Sequence, residues 1–143
     1  MTIRQTMKTI KVVIGKTKDM YTAYAQTAQG IYADGDTVEE VKHTVLDAIQ
    51  LMKEYQTKEE VPDVLKGDYQ VVYQYDIASL LNNYKGILSN SSVKRLTGIN
   101  QKLLQHYAAG LVTPREPQRK KIENALHKLG SELLSIELND FSN

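Results

Sequence analysis

The sequence predicts an α+β protein, in which a small sheet with one helix is followed by an all-helical half. Apolar and polar residues alternate in segments 9–16 and 68–75, which is typical of strands. In the second half the period changes to about 3.6 residues, which is typical of helices. Between the two alternating segments, the capping-box sequence of residues 37–40 marks the start of a helix. We therefore expect an α+β domain over 1–75 and a helical domain over 76–143.

The first half is expected to have the order β-β-β-α-β around one small core. At the start of its helix, the Thr37 hydroxyl and the Glu40 carboxylate should each accept a hydrogen bond from a free backbone amide. Tyr69, Tyr73 and Tyr75 share one face of the last strand and are expected to belong to the sheet core or to a subunit contact. The expected segments are strands at 9–16, 20–27 and 30–33, a helix at 37–55, a connection at 56–67 and a strand at 68–75.

The helical half is expected to contain four or five helices, of which the second and third form a pair. Val93 and Leu96 line the second helix, and either Ser91 or Asn90 can serve as its N-cap. Gly98 supplies the left-handed residue that the turn between the paired helices requires.

The last helix is expected to start after a break at Gly110. Residues 113–116 repeat the Thr-x-x-Glu capping pattern with a proline at the first helical position, although Pro117 allows a later start. Its apolar face is expected to continue to about Leu138, and the sequence does not fix whether Gly130 breaks this helix.

The composition excludes several classes of function. The chain has no cysteine, which excludes disulfides, thiol nucleophiles and thiolate zinc sites. No apolar run approaches the ~20 residues of a membrane span, and residues 1–14 lack the apolar core of a signal peptide, so we expect a cytoplasmic protein. Between Lys85 and Lys128, nine basic residues stand against two acidic ones, Glu116 and Glu123. Such a local excess is typical of a surface that meets phosphate.

The third helix of this half has an outer face without a carboxylate. Its apolar residues Leu103, Leu104 and Tyr107 should point to one side. Its polar residues should point to the other side; they are Gln101, Lys102, Gln105 and His106. Long amides and cations read the donors and acceptors of base edges in the major groove, and the missing negative charge avoids repelling phosphate. The sequence therefore predicts a DNA-recognition helix. The predicted DNA-binding residues are Ser91, Lys94, Asn100, Gln101, Lys102, Gln105, His106, Arg115, Arg119 and Lys120.

The basic residues that follow this helix have two interpretations. Arg115, Arg119, Lys120 and Lys121 can hold DNA phosphates, which adds affinity and salt dependence without sequence choice. They can also be an ordinary solvated helix face. The local charge excess favours the first interpretation.

Residues 98–114, GINQKLLQHYAAGLVTP, resemble the helix-turn-helix core of the XRE/Cro-repressor family. The pattern of that family is Gly-apolar-Ser/Asn-Gln, then the recognition helix, then a glycine and a proline before the next helix. The resemblance extends over about 80–129. It implies that residues 101–106 enter the major groove of double-stranded operator DNA.

Residues 21–52 resemble the HicB antitoxin family through Tyr24-Ala25 and the sequence DGDTVEEV at 34–41, which is similar to the family's Gly-Asp-Thr-x-Glu-Glu-Ala. The resemblance implies a degenerate RNase H-like β-β-β-α-β domain that binds a small mRNA-cleaving HicA-like toxin. It also implies a C-terminal DNA-binding domain that represses the operon. The chain departs from the family at residues 28–33, which replace the usual Pro-x-Leu-Pro-Gly loop.

Catalysis is not expected, although the implied domain descends from a nuclease fold. Hydrolysis with two metal ions needs several carboxylates that converge from strands and helix, and segment 9–16 contains no acid. The acids of residues 34–40 cluster at a helix start, where turn formation and capping account for them. His43, His106 and His127 lie far apart. No catalytic residue, metal ligand or cofactor is therefore assigned.

The sequence thus predicts an antitoxin-type transcriptional repressor that acts as a homodimer or tetramer. The α+β half would pair subunits and occlude a HicA-like toxin, while two helical halves bind a two-fold operator. One alternative is an interaction and assembly module that binds no DNA, which a measurement of DNA binding against salt would distinguish. A second alternative is an orphan regulator without a toxin, which the neighbouring reading frame would reveal.

Overall fold

The computed structural model describes residues 7–57 and 59–141 of the chain. Within these ranges the chain forms a four-stranded mixed sheet and five α-helices, which confirms the predicted α+β class. The chain divides into two compact units, Met1–Ser79 and Leu80–Asn143. We call them the α+β unit and the helical unit.

The α+β unit is built from β1 (Lys8–Lys16), β2 (Tyr21–Ala25), β3 (Tyr32–Gly35), α1 (Val38–Tyr55) and β4 (Tyr69–Tyr75). The strand order in the sheet is β3-β2-β1-β4. β2 pairs antiparallel with β1, as predicted, and with β3, whereas β4 pairs parallel with β1. A parallel pair needs a crossover connection, and α1 lies in that connection between β3 and β4.

One face of the sheet packs against α1 and forms the core of this unit. Alternate residues of β1 point to that face, and Ile10, Val12 and Ile14 are completely buried. The buried residues of α1 recur at helical spacing, as the sequence predicts; they are Val38, Val41, Val45 and Ile49. Burial of these apolar side chains is the main stabilising term of the unit.

The capping box of α1 forms with one difference from the prediction. The Thr37 hydroxyl accepts a hydrogen bond from the Glu40 N–H at 3.1 Å, as expected. The Glu40 carboxylate accepts from the N–H of Asp36 at 2.9 Å, one residue before the N-cap. The carboxylate therefore also fixes the turn that leads into α1.

Two predicted segments of this unit differ in the structure. The third strand lies at Tyr32–Gly35, two residues later than predicted, because Gly30 adopts a φ of 88° in the turn before it. The stretch predicted as a plain connection contains a 3-10 turn, Asp63–Leu65, in which Leu65 is completely buried. Lys8 Nζ donates to the carbonyl oxygens of Asp63 and Lys66, each at 2.9 Å, which holds this turn beside β1.

The tyrosines of β4 lie on the side of the sheet that faces α1, where they are partly buried against the core. Lys42 Nζ lies 4.5 Å from the ring centre of Tyr73 and 5.6 Å from that of Tyr75. Burial raises the pKa of Tyr73 above 10.0; the Lys42 charge lowers it and the Glu39 charge raises it. These tyrosine rings therefore pack against the core of their own unit, as the sequence predicts.

Four α-helices follow β4: α2 (Ile77–Tyr84), α3 (Asn90–Thr97), α4 (Gln101–Ala108) and α5 (Glu116–Leu134). The Asp76 carboxylate accepts from the N–H of Ser79 at 2.8 Å and from its hydroxyl at 3.0 Å, which caps the first turn of α2. α3 packs against both α4 and α5. The buried apolar residues of the helical unit are Leu81, Val93, Ile99, Leu104, Tyr107 and Ile122.

The N-cap predicted for α3 is wrong. Ser89, and not Ser91 or Asn90, has the extended backbone of an N-cap, and its hydroxyl accepts from the Ser92 N–H at 3.1 Å. The helix therefore begins earlier than predicted. Its inward face also differs, since Leu96 is 37% exposed while Val93 is buried.

Of the two starts that the sequence allows for the last helix, the capping box at residues 113–116 does not form, and the later start with Pro117 in the first turn does. A helix with Thr113 as N-cap needs the backbone N–H of residue 117 as its first intrahelical donor, and Pro117 has none. α5 begins instead at Glu116, with Arg115 as N-cap, and the first intrahelical bond runs from Arg119 N–H to Arg115 C=O at 3.0 Å. Pro117 then occupies a position where no N–H is required.

α5 runs through Gly130, where the sequence left a break open, and it ends earlier than predicted. Gly130 lies within the helix, without a positive φ, and does not break it. The helix ends at Leu134, so its apolar face does not continue in helical form to Leu138. From Ser131 to Phe141 every residue is exposed.

Candidate nucleic-acid interface

A three-residue turn joins α3 to α4. Gly98 adopts a φ of 78°, as predicted, and its N–H donates to the Lys94 carbonyl at 2.6 Å. Asn100 is the N-cap of α4, because its side-chain oxygen accepts from the Lys102 N–H at 2.8 Å. The turn therefore ends α3 and starts α4 with both the Gly98 N–H and the Lys102 N–H in hydrogen bonds.

The Thr97 hydroxyl braces this turn from the inside. It donates to the Val93 carbonyl at 2.7 Å and accepts from the Ile99 N–H at 3.1 Å. Thr97 is only 8% exposed and Ile99 is 3% exposed. A buried hydroxyl that both donates and accepts a hydrogen bond holds the turn in one conformation, and this fixes the angle between α3 and α4. Sequence reasoning missed this residue, although a threonine directly before the turn glycine was the available signal.

α4 has the two faces that the sequence predicts. Leu104 is completely buried and Tyr107 is 3% exposed, so these side chains anchor the helix in its own unit. On the opposite side Gln101, Lys102 and Gln105 are exposed. His106 is partly buried and therefore less accessible than the other three predicted residues.

The C-terminal end of α4 is held as firmly as its start. Gly110 has a φ of 74°, its N–H donates to the Tyr107 carbonyl at 3.1 Å, and the Leu111 N–H donates to the His106 carbonyl at 3.0 Å. This pair of bonds is a Schellman motif. The side chain of Asn82 on α2 adds a 2.8 Å bond to the Ala108 carbonyl. The outer face of α4 is therefore carried by a helix fixed at both ends.

The remaining predicted residues all lie on the surface. Ser91 and Lys94 are exposed on α3, and Arg115, Arg119 and Lys120 are exposed at the start of α5. Because α3 packs against both α4 and α5, the three helices that carry the predicted residues form one packed group. Asn100 is exposed as well, but its side-chain oxygen is already used as the N-cap.

The positive charges of this group are largely unneutralised. In the described ranges, Lys94, Lys102, Arg115 and Arg119 form no ion pair with an acidic side chain. Lys120 lies 3.9 Å from a Glu123 oxygen, in a pair that is more than half exposed on both sides. Exposed pairs of this kind are weak, so even Lys120 remains available to an external anion.

Metal-binding clusters and membrane-spanning helices are both absent from the described residues. Across residues 7–57 and 59–141, no group of three or more His, Asp or Glu residues is placed to hold a metal ion. Over the same residues, no helix has the length and apolar character needed to cross a membrane.

Comparison with protein-family models, with curated proteins and with solved structures finds no match for this chain. The functional interpretation therefore depends on the chain's own geometry and chemistry. Within the helical unit, that chemistry is an array of exposed amide and cationic donors on a helix held at both ends.

Proposed function

We propose that the helical unit is a DNA-binding domain of the XRE/Cro type, with α4 as its recognition helix. The observation that supports this most is the outer face of α4, which exposes two amides and a lysine but no carboxylate. The three-residue turn with a left-handed glycine and the short helix before it fit a helix-turn-helix.

Direct reading of bases is assigned to the first turns of α4, which normally enter the major groove. The Gln101 amide suits the paired donor and acceptor that adenine presents there, and the Lys102 ammonium suits the acceptors of guanine. Gln105 lies one helical turn after Gln101 and extends the same face. These contacts would carry the sequence preference.

Positioning on the phosphate backbone is assigned to the neighbouring helices. Lys94 on α3 and Arg115 and Arg119 on α5 supply charges that no described acid neutralises. Ser91 lies in the first turn of α3, where free N–H groups and the helix dipole favour a phosphate. These contacts would supply affinity and register without sequence choice.

A repressor role follows if two copies act together. One small domain makes too few base contacts for tight specific binding, whereas two linked domains raise each other's effective concentration at the DNA. Two copies related by a two-fold axis would place their α4 helices in successive major grooves of a palindromic operator.

DNA binding by the full chain is expected to weaken steeply between low and moderate salt. Plotted as the logarithm of the association constant against the logarithm of the salt concentration, the slope should be smaller in magnitude by about 1 per bound copy for Arg119→Ala. The reason is that binding of the variant neutralises one phosphate fewer and releases one counterion fewer. The slope can be measured by fluorescence anisotropy on a labelled duplex.

Lys18→Ala is the matched control, since it removes the same charge from an exposed position in the α+β unit. Its slope should equal that of the unmodified chain. No binding at low salt would instead favour the alternative of an assembly module that binds no DNA.

We propose as a second role that the α+β unit binds a small ribonuclease of the HicA type. The resemblance of residues 34–41 to the HicB family motivates this role. The open face of the sheet supports it. On that face Tyr32, Tyr24, Val13 and Gln74 follow one another in register across all four strands.

Exposed tyrosines side by side on a sheet face are typical of binding surfaces, because they combine a large apolar area with a polar tip. Tyr24 is 46% exposed and Tyr32 is 59% exposed. Neither ring is needed by the core, which lies on the other face of the sheet. The open face is therefore the surface that we assign to the ribonuclease.

The test is binding to the small ribonuclease encoded in the neighbouring reading frame, measured by calorimetry. Tyr24→Ala and Tyr32→Ala are each expected to weaken the complex by about tenfold or more, as central interface aromatics do. Tyr55→Ala is the control, because this ring is 81% exposed at the end of α1. Equal affinities for all three variants would refute the assignment, and a neighbouring frame without such a ribonuclease would favour an orphan regulator.

A further inference from the structure

β4 is an edge strand of the sheet and has none of the features that usually protect such an edge. The strand order places β4 at one edge and β3 at the other. β3 has only four residues and contains Asp34, whereas the seven residues of β4 include no charged residue, no proline and no glycine. Short length, charge and proline are the usual means by which an edge strand is kept from pairing with another chain. The edge of β4 is therefore suited to pair with a further strand.

The outer backbone groups of β4 are available for such a pair. β4 pairs with β1 along its whole length. Across the described residues 7–57 and 59–141, no other backbone hydrogen bond involves residues 70–74. In a parallel pair, alternate residues of an edge strand direct their N–H and C=O groups away from the neighbouring strand. Bonds from such groups to an added strand supply the affinity of strand addition.

Positive charge lies beside β4 on the side of the sheet that faces α1. Lys53 Nζ lies 5.0 Å from the ring centre of Tyr69, and Lys42 Nζ lies over Tyr73. In the described ranges neither lysine forms an ion pair with an acidic side chain. Glu39 is the acid whose charge acts on Tyr73, so two cations stand against one carboxylate. A strand added here would find a partner for an acidic residue on this side.

The other side of the same edge carries no charge. The side chains that β4 exposes on the open face of the sheet are Gln70, Val72 and Gln74. Val72, at the centre, is 40% exposed. An added strand would therefore bury apolar residues favourably on this side. The two sides together require a strand in which an acid alternates with apolar residues.

The segment that follows α5 has this pattern. Leu134, Ile136 and Leu138 alternate with Ser135 and Glu137, which is the period of a strand. Residues 134–141 contain two acidic residues and no basic one. Residues 136–141 form neither helix nor strand, and all of them are exposed. The apolar side chains of this segment are therefore open to solvent and its backbone can pair with a strand.

We propose that the edge of β4 is a peptide-binding site, which binds residues 134–139 of a second copy as a fifth strand. Glu137 then points to the side that carries the two lysines, and Ile136 and Leu138 point to the side of Val72. One alternating segment satisfies both sides, because successive residues of a strand point to opposite faces.

This contact differs from the pairing of two copies on a two-fold operator. It joins two different surfaces, the edge of a sheet and a terminal segment, so it is heterologous, whereas a two-fold contact joins identical surfaces. It requires neither DNA nor the ribonuclease. Its tests are therefore independent of both proposed roles.

The first test is the binding of a fluorescent synthetic peptide with the sequence of residues 133–141 to the full chain, followed by anisotropy without DNA. The control peptide has the same composition, but Ile136 and Glu137 exchange places, which puts the acid on the apolar side. We expect saturable binding of the first peptide and binding about tenfold weaker or less for the control. Equal binding of the two peptides, or no binding of either, would overturn the proposal.

The second test reverses the charge at the edge. Lys42→Glu is expected to weaken binding of the peptide by about threefold or more, because an attraction across neighbouring strands becomes a repulsion. A peptide that carries Glu137→Lys should bind this variant more tightly than the original peptide does. Lys18→Glu is the matched control, since it makes the same change at an exposed position in the turn after β1 and should leave the affinity unchanged. Equal weakening by both variants, or no recovery with the altered peptide, would contradict the assigned side.

Hydrogen exchange then locates the bound peptide. Backbone amides of residues 70–74 that point away from β1 should exchange more slowly in the presence of the peptide, because they acquire a hydrogen-bond partner. The amides of β3, at the opposite edge, should exchange at unchanged rates. Unchanged exchange in β4, or equal slowing in β3 and β4, would show that the edge of β4 is not the site.

Discussion

Leu104→Ala is expected to destabilise the helical unit by about 2–5 kcal/mol, because it opens a cavity beneath the centre of α4. Leu104 is completely buried and lies on the face of α4 that anchors the helix. The change should be measured by native-state hydrogen exchange of the backbone amides of α3 and α4. Exchange reports each unit separately, whereas one thermal transition for a two-unit chain would not.

Gln105→Ala provides the matched control for this prediction, since it truncates the next side chain along the same helix. Gln105 is exposed, so its truncation should change stability by no more than about 0.5 kcal/mol. The amides of α1 should exchange at unchanged rates in both variants. Similar exchange in the Leu104 and Gln105 variants would mean that the inner face of α4 is not an anchor.

Features that depend on periodicity were predictable from the sequence. Burial of Leu104 and Tyr107 and exposure of Gln101 follow from angles of ~100° per residue, which any helix shares. Strand alternation similarly placed Tyr73 on the covered face of β4. The capping bond from the Glu40 N–H to Thr37 was predictable too, because both partners lie within four residues.

Helix starts were less predictable, because several residues compete for the same role. Ser89, Asn90 and Ser91 are all acceptable N-caps, and only the backbone conformation selects Ser89. At α5, the missing N–H of Pro117 decides against Thr113. That decision was available from the sequence by asking which residue must supply the first intrahelical donor.

Contacts between distant residues were not predictable from one sequence. The bond from Asn82 to the Ala108 carbonyl joins residues 26 positions apart, and the bonds from Lys8 to Asp63 and Lys66 span more than 50. Neither pattern nor propensity specifies such pairs. The parallel pairing of β4 with β1 belongs to the same class.

The candidate interface was predicted as a set of residue types, and the structure adds how those residues are held. Periodicity identified the amides and cations of α4, but not the Thr97 hydroxyl that fixes the turn before it. A positioned side chain loses less entropy on binding than a mobile one. Because the turn fixes the start of α4, Gln101 should lose less entropy when it binds a base, and this favours discrimination between bases.

Gln101→Ala is expected to remove the preference for one base pair in each half-site, at a cost of about 1–3 kcal/mol of discrimination. The physical reason is the loss of a two-point hydrogen bond to a base edge at the start of α4. Sequences selected from a random duplex library by the unmodified chain and by the variant should be compared position by position. The fold should remain intact, because Gln101 is exposed and alanine favours a helix.

Lys94→Ala is the control that separates base reading from phosphate binding. Lys94 is exposed on α3, and its replacement should weaken binding to all duplexes about equally while the selected sequence stays the same. If Gln101→Ala behaved like Lys94→Ala, Gln101 would be a backbone contact and the helix would lie differently in the groove. If the preference were unchanged in both variants, base reading would have to come from another face of the helical unit, and the proposed role of α4 would be wrong.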